Sequence, residues 1–222
     1  MKTRPGETAQ LIERQRDMAR RVEHGELLQW PPALVAGVDC AFPEGGARTR
    51  AAAVLYRFPQ LECVAETTAE RDTVLPYIPG LLSFRELPAI LDALDALPEA
   101  PDVVLCDGQG IAHPRRFGVA CHLGVETGLP TVGVGKKRLC GEHKEPGHEK
   151  GSTESLIDQG EKIGMVVRTR TSVRPLYVSV GHRVNLDTAV ELVLACTTRY
   201  RMPEPIRAAD RAAAQSSARC SR

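Results

Sequence analysis

Val103-Val104-Leu105-Cys106-Asp107-Gly108-Gln109-Gly110 is an uncharged, mainly apolar run that stops on an acid and turns into glycine. A run of that length without charge suits a strand buried on both faces of a sheet. The pattern occurs twice: Leu34-Val35-Ala36-Gly37-Val38 ends at Asp39. In open α/β sheets, chemistry collects at the carboxyl ends of strands. If the two strands are parallel neighbours, both carboxylates lie at one edge.

Outward from these runs, residues 7–24 place Leu11, Met18 and Val22 on one stripe, interrupted by Gln15, and Gly25 follows. That spacing predicts an amphipathic helix with a glycine stop. Strands are expected at 51–57 and 61–68, then a helix from Ser83 to about Leu97, closed by Pro98 and Pro101. A helix near 115–127 and a strand at 131–134 follow. Residues 138–162 are polar and read as the longest irregular stretch. Strands at 164–169 and 176–180, a helix over about 188–200 and a last short helix after Pro203-Glu204-Pro205 complete the chain. The Ser/Arg-rich tail, 214–222, is expected to fray. Three early strands followed by alternating helix and strand predict a three-layer α/β fold, a central mixed β-sheet flanked by helices. The 222 residues suit one domain, with residues 1–30 as an N-terminal helix and lead-in.

Composition narrows the function classes. Hydrophobic residues make up 42% and charged residues 26%, as in a soluble globular chain. No apolar stretch approaches the roughly 18–20 residues of a spanning helix. The N-terminal residues lack an apolar signal core, so a cytoplasmic protein is expected. Seven cysteines, an odd number without a C-x-x-C pair, read as reduced thiols rather than a disulfide frame or zinc site. Charge is asymmetric: residues 1–110 carry 11 basic against 17 acidic side chains, and residues 111–222 carry 18 against 11. A basic half attracts phosphate and an acidic half can hold divalent cations; a solvated surface gives the same count by chance.

Asp39 and Asp107 side by side would repel unless a cation intervened, and hard carboxylate oxygens suit Mg²⁺. Either alone could simply cap a turn. Glu86 closes Ser83-Phe84-Arg85-Glu86, an S-x-x-E capping box, yet the same position lies in a first helical turn from which a carboxylate can reach a metal. In Leu75-Pro76-Tyr77-Ile78-Pro79-Gly80, two prolines fix φ and Gly80 permits a tight reversal. The result is a stiff loop with Tyr77 at its tip, suited either to insertion into a base stack or to packing on the domain surface. Gly108 and Gly110 leave room for a ligand at the backbone, and His113, Arg115 and Arg116 are candidate phosphate contacts. Lys136 and Lys137 follow a strand, but Gly133-Val134-Gly135-Lys136-Lys137 lacks the spacing of a P-loop. Asp187 reads as a helix cap and Asp210 as a solvated helical acid. A hydrolase Gly-x-Ser-x-Gly motif is absent, and His143 and His148 have no cysteines at zinc spacing.

Together these segments resemble the endonuclease V family, the deoxyinosine 3′-endonucleases. The resemblance runs through Val35–Asp39, Tyr77–Glu86, Asp107–Gly110 with His113-Pro114-Arg115, Pro130–Val134 with Lys136, Ser179–His182, and Pro203–Arg207 with Asp210. It implies an RNase H-like fold and a Mg²⁺-dependent hydrolase, with Mn²⁺ as a substitute, acting on DNA that contains deoxyinosine. The implied cut is at the second phosphodiester bond 3′ to the lesion, leaving 3′-hydroxyl and 5′-phosphate ends. It also implies Asp39, Asp107 and Glu86 as metal-binding and catalytic acids, with Asp210 completing a second metal position. Lys136 is implied as a catalytic cation and Tyr77 as the DNA wedge. Tyr77, Pro79, Gly80, Gly108, Gly110, His113 and Arg115 form the expected DNA-binding set. Arg211 stands where some relatives have a histidine. The alternatives are an inosine-specific ribonuclease, another RNase H-like nuclease and a non-catalytic damage-binding module. A monomer without membrane association is expected.

Overall fold

A computed structural model describes residues 6–25 and 30–215. Eight strands form one mixed sheet: β1 (Leu34–Ala41), β2 (Arg48–Arg57), β3 (Glu62–Asp72), β4 (Val103–Asp107), β5 (Thr131–Gly135), β6 (Thr153–Asp158), β7 (Glu161–Val167) and β8 (Leu176–His182). Their order across the sheet is β3-β2-β1-β4-β5-β8-β7-β6. The central β1, β4 and β5 run parallel, and the flanking pairs are antiparallel. Five helices accompany them: α1 (Glu7–Ala19), α2 (Leu82–Asp95), α3 (Val119–Thr127), α4 (Leu186–Ala195) and α5 (Glu204–Ala214).

Side chains alternate across a strand, so the apolar runs of β1 and β4 supply both faces of the sheet. Val35, Val103 and Leu105 pack with Leu192 of α4 and Ile206 of α5. Ala36, Val38, Val104 and Cys106 face the other way, against Leu87 and Ile90 of α2 and Leu123 of α3. Each of the valine, leucine and isoleucine side chains, fully buried, contributes about 1.5–3 kcal/mol. The alanine face of α5 (Ala208, Ala209, Ala212, Ala213) lies close on Ala52 and Val54. Small residues on both partners allow that close approach, and it carries α5 over the carboxyl end of β1.

Several boundaries differ from expectation. α1 ends at Ala19, well before Gly25. β2 and β3 run longer than 51–57 and 61–68, and α4 ends at Ala195 rather than near 200. The helix expected near 115 starts only at Val119, because Gly118 N donates to Gly110 O and residues 113–116 form a turn. The stretch 138–162 is not irregular throughout: it holds β6 and the start of β7. Gln159 and Gly160, at φ 52° and 82°, join them in a tight hairpin. Because β6 is an edge strand, its polar residues remain solvated, which hides the strand in a hydropathy reading. Most of the 214–222 tail lies outside the described residues. No helix among the described residues is long and apolar enough to cross a membrane, and the six cysteines there are all free.

Candidate active site

Asp39 and Asp107 meet because β1 and β4 are parallel neighbours with Val38 opposite Cys106. Asp107 ends β4, while β1 runs two residues past Asp39 to Ala41 rather than stopping at the acid; both carboxylates lie at the same edge, on the α5 face. Asp210 of α5 descends on them from above. Among the described residues, Asp39, Asp107 and Asp210 are the one group able to offer three ligand atoms, each within 4.8 Å of the others. The carboxylate of Asp39 accepts a 2.7 Å hydrogen bond from Cys40 N. Burial, then the charge of Asp107, pushes its pKa up to about 8. An all-oxygen set of three carboxylates brought this close fits a hard divalent cation, which removes their mutual repulsion.

Lys136 follows β5, the strand beyond β4. Its ammonium contacts Asp107 and lies 3.9 Å from Asp210 Oδ1. Burial opposes its charge, but the Asp107 carboxylate outweighs that and holds the pKa above the ordinary lysine value. Glu86 comes from α2, on the other face of the sheet, and stands outside the three-acid group. It borders a cavity of about 160 Å³ together with Asp107, Gly108, His113, Phe117 and the loop residues Tyr77 and Gly80. Burial and then Asp107 push the Glu86 pKa up to about 8.

A family model of Endonuclease V matches residues 16–211. The chain belongs to the endonuclease V family. Endonuclease V of Azotobacter vinelandii is 59% identical over 182 residues, 82% of each chain. The crystal structure of Endonuclease V from Streptomyces avermitilis aligns with a TM-score of 0.88 at 45% identity, over 92% of this chain and 90% of that one. Endonuclease V of Ciona intestinalis, in complex with a 24mer DNA containing an inosine followed by a ribo-adenosine, aligns at 0.80 and 26% identity, over 92% and 95%. The fold is RNase H-like, and the chain is an endonuclease V-type hydrolase, a DNA-binding nuclease of DNA repair.

Other endonuclease V motif residues take less expected places. Ser83 caps nothing: the N-cap is Leu81, and Ser83 Oγ instead meets His122 Nδ1 at 3.0 Å. Glu86 is thereby two residues too deep to close a capping box, and its carboxylate is left to the cavity. The cap of α4 is Asn185, which accepts from Thr188 N at 2.7 Å, rather than Asp187. Gly110 lies outside the cavity lining, because a Cβ there would sit 2.0 Å from Val180 O. Its amide donates to Ser179 Oγ and that of Gly108 to Val134 O, so neither is free to read a base. Arg115 turns inward, donating to Gly80 O at 2.7 Å, instead of outward as a phosphate contact. His113 is buried and accepts from Arg115 N at 3.1 Å; burial and the Arg115 cation depress its pKa to about 4. Tyr77 projects, 65% exposed. Gln15, the polar interruption of the α1 stripe, is fully buried beneath this loop. A polar residue at an apolar position of a helix was the signal available for it.

The raised carboxyl pKa values set a pH dependence for the metal-free protein. Asp39 and Glu86 ionise near 4 when unfolded but hold their protons to about 8 when folded. The folded state then binds more protons, so stability falls as pH rises through this range. The buried His113 and His122, depressed to about 4 and about 3, act with the opposite sign below their ordinary value of 6.5. The window free of that opposition is pH 6.5–8. In EDTA, Tm should fall across it, each uncompensated proton being worth about 1.4 kcal/mol per pH unit. Saturating Mg²⁺ should flatten the fall. Thermal melts with and without EDTA check both statements, and a Tm that rises across the window would contradict them.

Proposed function

We propose that this protein nicks DNA at deoxyinosine, hydrolysing the second phosphodiester bond 3′ to the lesion and leaving 3′-hydroxyl and 5′-phosphate ends. One juxtaposition carries the reading. The cavity bordered by the wedge loop at Tyr77 and Gly80 is also bordered by Glu86 and Asp107, and Asp107 belongs to the three-acid group. A base withdrawn into that cavity leaves its own backbone beside the carboxylates. The complex of Ciona intestinalis Endonuclease V with inosine-containing DNA supports the same substrate class.

Tyr77, stiffened between Pro76 and Pro79, replaces lost stacking as the lesion leaves the duplex. Hypoxanthine pairs weakly, so its extrusion costs less than that of a normal base. Phe117 and His113 border the space it enters. Asp39, Asp107 and Asp210 hold Mg²⁺, for which Mn²⁺ can substitute. At that position a bound ion would supply polarisation of the phosphate and a water of lowered pKa. Glu86 completes the acidic site from the α2 side. Lys136 orients Asp107 and offsets charge on the scissile phosphate.

The test is a nicking assay on matched DNA and RNA oligonucleotides carrying one inosine. Cleavage of the DNA at the second 3′ bond is expected in Mg²⁺ and none in EDTA. Equal cleavage of undamaged duplex would overturn the reading. Preference for the RNA would move the substrate to inosine in RNA, an arm that the ribo-adenosine in the Ciona complex makes worth including. Tyr77→Ala should weaken binding of the inosine duplex about tenfold, in line with roughly 1–3 kcal/mol for one base–aromatic stack, and leave metal affinity unchanged. Filter binding and Mn²⁺ titration report the two quantities separately.

A further inference from the structure

The wedge loop does not hold its own base. Gly80 has φ of +78°, and the carbonyl at this reversal is gripped from elsewhere in the chain. Gln15 Nε2 of α1 donates to Gly80 O at 2.9 Å, and Arg115 Nη2 donates to the same oxygen at 2.7 Å. Gln15 Nε2 also reaches Phe117 O, on the cavity wall, at 2.9 Å, and Gln15 Oε1 accepts from Arg115 Nε.

One fully buried amide thus ties three separate segments together: the loop base, the turn at 113–116 and the cavity wall. Met18, one turn further along α1, is buried with Phe117 and Cys121 and docks the helix there. A Cβ at position 80 would meet Arg115 Nη2 at 2.5 Å, so the guanidinium sits directly against the reversal.

We propose that Gln15 and Arg115 are positioning residues for damage recognition, a latch by which the N-terminal helix fixes the direction of the Tyr77 loop relative to the base cavity. The proposal rests on the reading of function above, because only a protein that extrudes a base needs its wedge so aimed. Buried polar links of this kind, once satisfied, specify a single geometry. Neither residue lies in the three-acid group, so the latch acts on substrate entry rather than on hydrolysis.

Gln15→Met keeps the length and apolar bulk of the side chain and removes both amide donors and its acceptor. On an inosine duplex it should raise KM about tenfold and leave kcat within about twofold. A 2-aminopurine placed beside the inosine should lose most of the fluorescence rise that precedes nicking, and amide exchange across residues 78–82 should accelerate. Arg115→Lys, which keeps the charge but not the planar fork, should give the same signature and serves if Gln15→Met fails to fold. Folded variants with wild-type KM, fluorescence rise and exchange would overturn the latch, as would a fall in kcat at constant KM. A wild-type protein indifferent to inosine would instead overturn the proposed function; the restraint of the loop would then be judged on exchange alone.

Discussion

Asp39→Asn and Asp107→Asn should each reduce nicking of an inosine-containing duplex by at least about a thousandfold. Even a residue that only orients a metal ligand is commonly worth 10–100-fold, and loss of one preorganised charge-stabilising donor about 10²–10³. A direct ligand should exceed both. The Asn side chain keeps shape and one acceptor oxygen, so the Cys40 N hydrogen bond at position 39 survives. The two effects of Asp39→Asn should have opposite signs. Activity disappears, while Tm in EDTA rises, because the substitution removes a half-buried carboxyl that burial and Asp107 both disfavour in its charged form. For a chain of this size each kcal/mol relieved is about 2–4 °C. A purely structural turn-capping role makes the contrary forecast: lower Tm and near-normal turnover. Activity assays and melts on the same preparation separate the two.

The opposite signs follow from what was legible at the start. Apolar runs ending in Asp39 and Asp107 predicted buried strands, and the parallel β1–β4 register puts both acids at one edge because period-two alternation fixes which face each residue takes. The sheet's centre could be read because it is buried on both sides and hydropathy is strongest there. Its edge could not: β6 is mostly polar and half-buried with Ile157 facing outward, and only the Gln159-Gly160 pair marks its hairpin. Glu86 was ambiguous for a physical reason. A capping box and a catalytic helix acid look alike in sequence, and the difference is where the helix begins. Beginning at Leu82, it frees Ser83 for His122 and Glu86 for the cavity. In the sequence Arg115 reads as a phosphate contact and Gln15 only as a break in the apolar stripe of α1. Gln15 is buried and Arg115 half-buried against it, each satisfying the other, a pairing that no local pattern encodes at a separation of 100 residues.

Gly37→Ala should damage the site without touching a ligand. Position 37 is on the face of β1 that meets α5, and a Cβ there would lie 2.1 Å from the carbonyl carbon of Pro205 and 2.5 Å from Ile206 N. Backbone atoms at that distance have no rotamer to adopt; either the strand or the start of α5 must move. Overpacking of this kind costs about 1–3 kcal/mol. The helix is the freer partner, held by side-chain packing through Ile206 and its alanine face rather than by ladder hydrogen bonds. Its displacement carries Asp210 away from Asp39 and Asp107, so Mn²⁺ affinity should fall together with urea stability. Asp210→Ala should lower metal affinity alone. Gly25→Ala, with nothing within 4 Å of the added methyl, should change stability by no more than about 0.5 kcal/mol. Gly37→Ala with wild-type metal affinity would mean that the packing of α5 on β1 does not set the position of the third acid. A coupled loss, against a clean loss in Asp210→Ala, ties the geometry of the acidic cluster to one absent methyl group in the strand beneath it.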